Sequence, residues 1–143
     1  MLKIQTTRFG EVEVEDQSII LVQGGIIGFA RYERYMIIEH KSESPFFWLQ
    51  AVDSPDLAFV IVDPCLFMPD FNLTLSEPIL ADLKAQESQE VAVHVLVTIP
   101  HGRPQEMTAN LLGPLVINTQ AKLARQIIVD DERYSHRHPI ISA

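Results

Sequence analysis

The chain has 143 residues, of which 47% are hydrophobic and 21% charged, so it can bury one hydrophobic core without disulfide staples. Its formal net charge of −8 argues against direct nucleic-acid binding and against an anionic membrane surface, because both require a basic face. Cys65 is the one cysteine, so no disulfide can form within the chain.

The N-terminal sequence MLKIQTTRFGEVEV has no apolar stretch long enough for a secretory signal. The apolar runs elsewhere are far shorter than the ~20 residues that cross a bilayer. We therefore expect a cytoplasmic protein that does not enter a membrane, with a single domain over residues 1–143.

Strand patterns dominate the chain. Alternation of apolar and polar residues marks several segments, and runs rich in β-branched and aromatic residues mark others. Phe9-Gly10 lies between the first two segments and predicts a tight hairpin. In chain order, the predicted strands and alternating segments cover residues 3–7, 11–14, 18–22, 35–38, 46–52, 57–62, 71–75, 91–99, 115–118 and 126–129.

One helix interrupts this pattern. Ser76 can cap it, Pro78 suits its first turn, and Leu80 and Leu83 follow at helical spacing. The predicted helix covers about 76–86. Many short strands and one short helix predict a mainly β fold, a compact antiparallel β-barrel-like domain, with a β-sandwich as the alternative.

Two histidines, His136 and His138, could share a metal ion, since residues i and i+2 of a strand face the same way. Zinc needs three or four ligands, however, and no cysteine cluster or histidine-bearing helix motif supplies the others. We therefore predict no metal and no cofactor. His40 and His101 form no further motif, and His94, inside an apolar strand, is interpreted as a core or edge residue.

Other reactive-looking residues have structural interpretations. Cys65 has no neighbouring Lys or His to lower its pKa and is interpreted as a packing residue. The glycine-rich segment 24–28 lacks the lysine of a phosphate-binding loop. Asp53, Asp56 and Asp63 each lie beside or near a proline, where turn capping accounts for them. No catalytic set remains, which predicts a binding protein rather than an enzyme.

The segment MTANLLGPLVIN, residues 107–118, contains a polar trio before an apolar run. No base, nucleophile or metal cluster is available to Asn110, so we expect Thr108 and Asn110 to bond local backbone groups at the entry to a strand. Gly113-Pro114 is expected to form the kink that allows residues 115–117 to join the sheet.

Several sequence blocks together resemble the FliW family of flagellar assembly factors. The resemblance begins at Phe9-Gly10-Glu11 and at GGIIGF (24–29). It is most specific in PFFWLQAVDSPDLAF (45–59) and MTANLLGPLVIN (107–118), and it ends at YSHRHP (134–139). The blocks occur in family order over nearly the whole chain. Three positions depart from the family pattern: Ile27 replaces a usual proline, Gly113 a usual alanine, and His136 an often apolar residue.

This resemblance implies a β-barrel-like regulatory binding protein without catalysis. FliW-like proteins bind CsrA, an RNA-binding regulator, and relieve its repression of flagellin mRNA translation. They also bind flagellin, which occupies them until it is exported. The resemblance thus implies a switch between two protein partners, a CsrA-like regulator and flagellin.

The net charge suggests how such antagonism could operate. A CsrA-like regulator must be basic to hold RNA phosphates, and an acidic protein docked beside that site would repel RNA within about 8 Å at physiological salt. Apolar anchors should supplement the charge, and a groove for an amphipathic flagellin helix is expected as well. The candidate partner-binding residues are Phe67, Met68, Phe71, Asn110, Asn118, Asp130, Asp131 and Glu132.

Two alternatives remain open at this point. One is a metal-dependent hydrolase that uses His136 and His138, which elemental analysis for stoichiometric zinc would reveal. The other is a flagellin export chaperone without any link to CsrA, which would not capture CsrA in the absence of flagellin.

Overall fold

The structure, a computed structural model, describes residues 2–39 and 44–140. His40 and Ile141 lie outside the described residues. The strands are β1 Leu2–Thr6, β2 Gly10–Val14, β3 Ile20–Val22, β4 Arg34–Glu39, β5 Phe47–Ala51, β6 Ala58–Val62, β7 Ala92–Thr98, β8 Thr108–Ala109, β9 Leu115–Asn118, β10 Leu123–Gln126 and β11 His138–Pro139, and the helix is α1 Glu77–Asp82.

Seven strands close into a barrel in the order β7-β6-β5-β4-β3-β10-β9, and the pairing of β9 with β7 completes the ring. The barrel prediction is therefore confirmed, and the sandwich alternative does not form. The barrel is mixed rather than fully antiparallel, because β10 runs parallel to β3. The short strands β8 and β11 extend the sheet from the far end of β7.

The predicted hairpin at Phe9-Gly10 is confirmed and joins β1 to β2 in an antiparallel pair outside the barrel sheet. Gly10 has a φ of +68°, a left-handed conformation that favours glycine. The hydroxyl of Thr6 accepts a hydrogen bond from the Phe9 N–H and donates one to the Gly10 carbonyl. Thr7 then docks the hairpin on the barrel, since its N–H donates to the Pro55 carbonyl at 3.0 Å.

The barrel interior is a continuous apolar core. Tyr35 of β4, Leu49 of β5, Ile61 of β6 and Leu115 of β9 are each fully buried, and Ile117 is nearly so. Burial of a side chain of this size contributes about 1.5–3 kcal/mol to the free energy of folding. Strands from distant parts of the sequence therefore hold one another in place through this core.

The helix is shorter than the predicted range 76–86. Its start is as expected, because the Ser76 hydroxyl accepts from the Ile79 N–H at 3.4 Å. It ends at Asp82 because Lys84 adopts a left-handed φ of +56°, while the N–H of Ala85 donates to the Leu80 carbonyl at 2.8 Å. This bond pattern is a Schellman ending, in which glycine normally occupies the position of Lys84.

Three strand predictions differ from the structure. Residues 71–75 alternate in sequence but lie in none of the strands. The last barrel strand is Leu123–Gln126 rather than 126–129, because the ladder to β3 lies at Leu123 and Ala124. The two-residue strands β8 and β11 were not predicted, since two residues carry no periodicity. Within the described ranges, no helix is long and apolar enough to cross a membrane.

The helix ending generates a stability prediction. Lys84→Gly should raise the free energy of unfolding by about 1 kcal/mol, because glycine adopts left-handed φ without the steric cost that Lys84 bears. Lys3→Gly, at an exposed position of β1, should instead lower it by about 0.5–1 kcal/mol. Urea denaturation of the two variants checks the pair, and a loss of stability in Lys84→Gly would refute this explanation of the helix end.

Candidate functional site

The acidic segment Asp130-Asp131-Glu132 follows the last barrel strand on the protein surface. Asp130 and Glu132 are exposed, and neither forms an ion pair with any described residue. Asp131 pairs with Arg133, whose Nη2 donates to its carboxylate at 2.8 Å. This hydrogen bond lowers the pKa of Asp131 below its ordinary value, so the paired Asp131 carboxylate is negatively charged at neutral pH.

Of the three candidate apolar anchors, Phe71 is not available to a partner. Its ring packs against Tyr134 with centroids 4.9 Å apart, and only 9% of its surface is exposed. The Tyr134 hydroxyl fixes this arrangement, since it accepts from the Asn72 N–H and donates to the Asn72 carbonyl. The expectation that Phe71 could be an exposed docking residue is therefore wrong.

Phe67 and Met68 are half-buried and pack on the same core cluster as Phe71. The Phe67 ring also stacks on His138, with centroids 5.7 Å apart. Leu66, which the sequence did not single out, is 62% exposed and is the accessible apolar side chain of this segment. A leucine in an apolar run gives no sequence signal for such exposure.

The two candidate asparagines hold backbone turns. The Asn110 side chain accepts from the Leu112 N–H at 3.0 Å, which confirms the prediction that it bonds local backbone. Asn118 is buried, and its amide donates to the Leu83 carbonyl at 2.8 Å while its oxygen accepts from the N–H groups of Gln120 and Ala121. Asn118 thus joins the end of α1 to the turn after β9 and presents no polar group to a partner.

Ile27 and Gly113, two positions at which this chain differs from the pattern of the family it resembles, are both hydrogen-bonded to the side chain of Gln126. Its oxygen accepts from the Ile27 N–H at 2.8 Å, a bond that proline at position 27 could not donate. Its amide donates to the Gly113 carbonyl at 2.8 Å. A Cβ at Gly113 would lie 2.8 Å from that amide nitrogen and 3.1 Å from the Asn110 side chain, so alanine would displace Gln126.

The candidate histidine pair does not share a strand. His136 lies in a turn, whereas His138 begins β11. Within residues 2–39 and 44–140, no three His, Cys, Asp or Glu side chains form a group that could hold a metal ion. The arrangement therefore provides no support for a hydrolase built on His136 and His138.

His94 of β7 lies beneath the barrel surface, edge-on to Phe47 at a centroid distance of 6.1 Å. Its Nδ1 is buried without a hydrogen-bond partner among the described residues. Burial lowers the pKa of His94, and the nearby Asp63 carboxylate offsets only part of that effect. His94 is therefore a neutral packing residue near pH 7.

The aspartates near proline have different roles. Asp63 accepts from the Cys65 N–H at 2.9 Å and caps a short 3₁₀ turn, as predicted. Asp53 instead pairs with Arg34, and Asp56 accepts from the Thr7 hydroxyl. Cys65 is exposed, so its interpretation as a packing residue is wrong. Desolvation and the nearby Asp63 carboxylate raise the pKa of its thiol, which agrees with the expectation that no neighbouring group lowers it.

An apolar groove of about 160 Å³ lies between β5, β6 and the end of β7, lined by Phe46, Phe47, Trp48, Val60, Ile99 and Met107. The Arg8 guanidinium lies over the Trp48 ring at 4.7 Å, and Phe9 packs edge-on to the same ring. Ile99 is 45% exposed at the rim. Aromatic, Met and Arg side chains of this kind are enriched in protein interfaces. The sequence predicted strands at five of these positions, but it predicted neither a strand at Met107 nor a shared groove.

The buried His94 makes stability depend on pH. Because the pKa of His94 is lower in the folded chain than in the unfolded chain, the unfolded state takes up the proton first as pH falls. Above about pH 6.5, His94 does not reduce the free energy of unfolding. Below that pH, protonation of His94 in the unfolded chain lowers the free energy of unfolding by at most about 1.4 kcal/mol per pH unit. His94→Leu should flatten the acid loss in urea titrations from pH 7.5 to 5, whereas His101→Leu, at an exposed site, should not. Equal slopes in all three proteins would contradict the assignment.

The Gln126 link predicts a coupled pair of substitutions. Gly113→Ala should lower the free energy of unfolding by about 1–3 kcal/mol, because the new methyl group displaces the Gln126 amide. In a Gln126→Ser background the same change should cost at least about 0.5 kcal/mol less, a coupling that a double-mutant cycle measures. If the two substitutions had additive effects, Gln126 would not determine how much alanine at position 113 costs in stability.

Comparison with known proteins agrees with this geometry. The model of the FliW protein family matches residues 3–140. Flagellar assembly factor FliW of Magnetococcus marinus is 39% identical over 98% of this chain and 85% of its own length, and that of Alkaliphilus metalliredigens is 42% identical over 96% and 85%. A crystal structure of the flagellar assembly factor FliW superposes with a TM-score of 0.90 at 30% identity and covers 99% of both chains. On sequence and structure alike, the chain belongs to the FliW family of flagellar assembly factors.

Proposed function

We propose that this FliW-family protein is a cytoplasmic regulatory switch that binds either a CsrA-like RNA-binding regulator or flagellin. In the regulator-bound state it relieves repression of flagellin mRNA translation. In the flagellin-bound state it leaves the regulator free to repress. The protein acts by binding, without catalysis and without a cofactor.

The observation that carries this proposal is the exposed acidic segment on an acidic protein. Asp130, Asp131 and Glu132 form a continuous negative stretch on a chain of net charge −8. A regulator that holds RNA phosphates is basic, so charge favours encounter between the two proteins. The same charge repels nucleic acid, which supports a protein partner rather than direct RNA binding.

Electrostatic exclusion then accounts for antagonism without direct overlap of binding sites. A carboxylate cluster docked within about 8 Å of bound RNA, one Debye length at physiological salt, repels the phosphates. The regulator need not surrender its RNA-contacting residues to the acidic protein. The antagonism should therefore weaken as the salt concentration rises.

The aromatic groove at Trp48 supports the second partner. An amphipathic helix binds by placing its apolar side chains in a hydrophobic groove. The assembly-competent ends of flagellin are expected to be amphipathic and helical. The groove supplies apolar walls, and Arg8 at its edge could pair with an acidic side chain of such a helix.

A binding assay without flagellin tests the proposal against the pure chaperone alternative. The purified protein should capture the CsrA-like regulator of the same organism at a defined stoichiometry and release a labelled flagellin leader RNA from it. Failure to bind the regulator when flagellin is absent, with flagellin itself bound normally, would leave only the chaperone function.

Neutralising the acidic segment tests whether its local charge, rather than the net charge of the whole chain, determines binding of the regulator. The variant Asp130→Asn, Asp131→Asn, Glu132→Gln should weaken regulator binding and RNA release by roughly three- to tenfold at low salt, and by less at high salt. The matched control is Glu11→Gln, Glu13→Gln, Asp16→Asn, which changes charge equally on β2 and the turn after it. Unchanged binding and release in the first variant, or equal losses in both, would remove any specific role from the segment.

A further inference from the structure

A cleft of about 310 Å³ lies outside the barrel, between the segments of residues 71–76 and 127–133. Along 71–76, burial alternates residue by residue, with Phe71 buried and Asn72, Thr74 and Ser76 exposed. Burial also alternates along 127–132. Such alternation is typical of extended chain, yet neither segment belongs to one of the strands.

One wall of the cleft has an unpaired backbone edge. The N–H groups of Ile127 and Val129 donate to the carbonyls of Pro114 and Leu112, at 3.0 and 2.9 Å. In extended chain, successive N–H groups point to opposite sides, so the N–H groups of Ile128 and Asp130 point away from that partner. No described residue accepts from either of them, and Ile128 is 70% exposed.

The facing wall also has free donors. The Asn72 N–H is bonded to the Tyr134 hydroxyl, but the N–H groups of Leu73, Thr74 and Leu75 have no acceptor among the described residues. Unpaired backbone groups beside a surface cleft are a template for an added strand. The half-buried side chains of Leu73 and Val129 give the cleft an apolar component.

The charge around the cleft selects a basic occupant. Residues 70–77 and 126–133 contain five acidic side chains against the single basic Arg133, a formal charge of −4 out of −8 for the whole chain. The acidic side chains are Asp70, Glu77, Asp130, Asp131 and Glu132. Arg133 is already engaged by Asp131. Half of the net charge of the chain is thus contributed by these two segments.

We propose that this cleft binds an extended, lysine- or arginine-bearing segment of the CsrA-like regulator, which adds as a strand along residues 127–130. The assignment of the partner rests on the proposed function. A helical flagellin segment already satisfies its own backbone groups, so it could not pair with the N–H of Ile128. An extended basic segment satisfies that group and also meets the carboxylates of Asp130 and Glu132.

A proline at the free edge tests the backbone pairing. Ile128→Pro removes the N–H that has no partner in the free protein and keeps the two N–H groups that bond to Leu112 and Pro114. Ile128→Ala removes most of the side chain and keeps the N–H. With the purified regulator as the probe, titration calorimetry should show about tenfold weaker binding for the proline variant than for the alanine variant.

Hydrogen–deuterium exchange of the unaltered protein provides a readout that does not depend on how the proline variant folds. When the regulator is bound, the amides of Ile128 and Asp130 should exchange more slowly, whereas flagellin should leave them unchanged. Protection of Ile128 in the regulator complex, with the loss of affinity in Ile128→Pro, supports the proposal.

The contrary outcomes are distinct. If the unaltered protein binds the regulator, but Ile128→Pro binds equally well and Ile128 gains no protection, the cleft assignment is overturned while the proposed function stands. If the unaltered protein does not bind the regulator at all, the proposed function fails and the cleft assignment fails with it. Protection of Ile128 by flagellin instead of the regulator would also overturn the choice of occupant.

Discussion

Closure of the barrel depends on β7, which pairs on both of its edges. Residues Ala92 to His94 pair with β9, while Val95 to Val97 pair with β6 on the other side. The pairing of His94 with Leu115 belongs to the ladder between β7 and β9 that closes the ring. A closed barrel has no free edge, so its strands cannot recruit another chain by edge pairing. The sites available to partners are therefore outside the ring, on its outer surface and in the segments that cover it.

Within the sequence blocks that carry the family resemblance, several polar residues hold loops against this barrel. Gln50, in the block around Trp48, is fully buried, and its amide lies within 3.1–3.3 Å of the carbonyls of Ala51, Ser54, Pro55 and Leu57. Asn110 and Asn118 hold two turns in the second block. The hydrogen bonds of these polar side chains go to backbone carbonyl and N–H groups of the same chain. The buried oxygen of Gln50 has no partner among the described residues, whereas these hydrogen bonds account for Asn110 and Asn118 as structural residues.

The sequence predicted local features well and long-range ones poorly. The Phe9-Gly10 hairpin and the Ser76 cap were correct because both depend on a few adjacent residues. The parallel pairing of β10 with β3 could not be predicted, since it joins strands about a hundred positions apart in the sequence. The helix ended early because Lys84 takes a conformation that its residue type does not indicate. Phe71 was misjudged because Tyr134, which buries it, is distant in sequence and follows a polar segment.

The candidate binding surfaces show the same difference between local features, which the sequence predicted, and long-range features, which it did not. The acidic segment could be identified from sequence because charge and exposure go together, whereas the cleft and the aromatic groove are assembled from separate segments. The backbone donors in the cleft leave no trace in sequence, since every residue except proline carries one. Two surfaces of different chemistry, one acidic with unpaired backbone groups and one aromatic, suit two partners of different character. Separate surfaces alone would allow both partners to bind at once, so the proposed switch also requires that flagellin bound in the aromatic groove weakens binding of the regulator at the cleft.

A competition titration tests the switch most directly. The complex of this protein with the CsrA-like regulator is titrated with purified flagellin, while binding of labelled leader RNA to the regulator is followed by fluorescence anisotropy. The account predicts that flagellin restores RNA binding in step with its own occupancy of the protein. RNA binding that stays suppressed while flagellin is fully bound would contradict the switch.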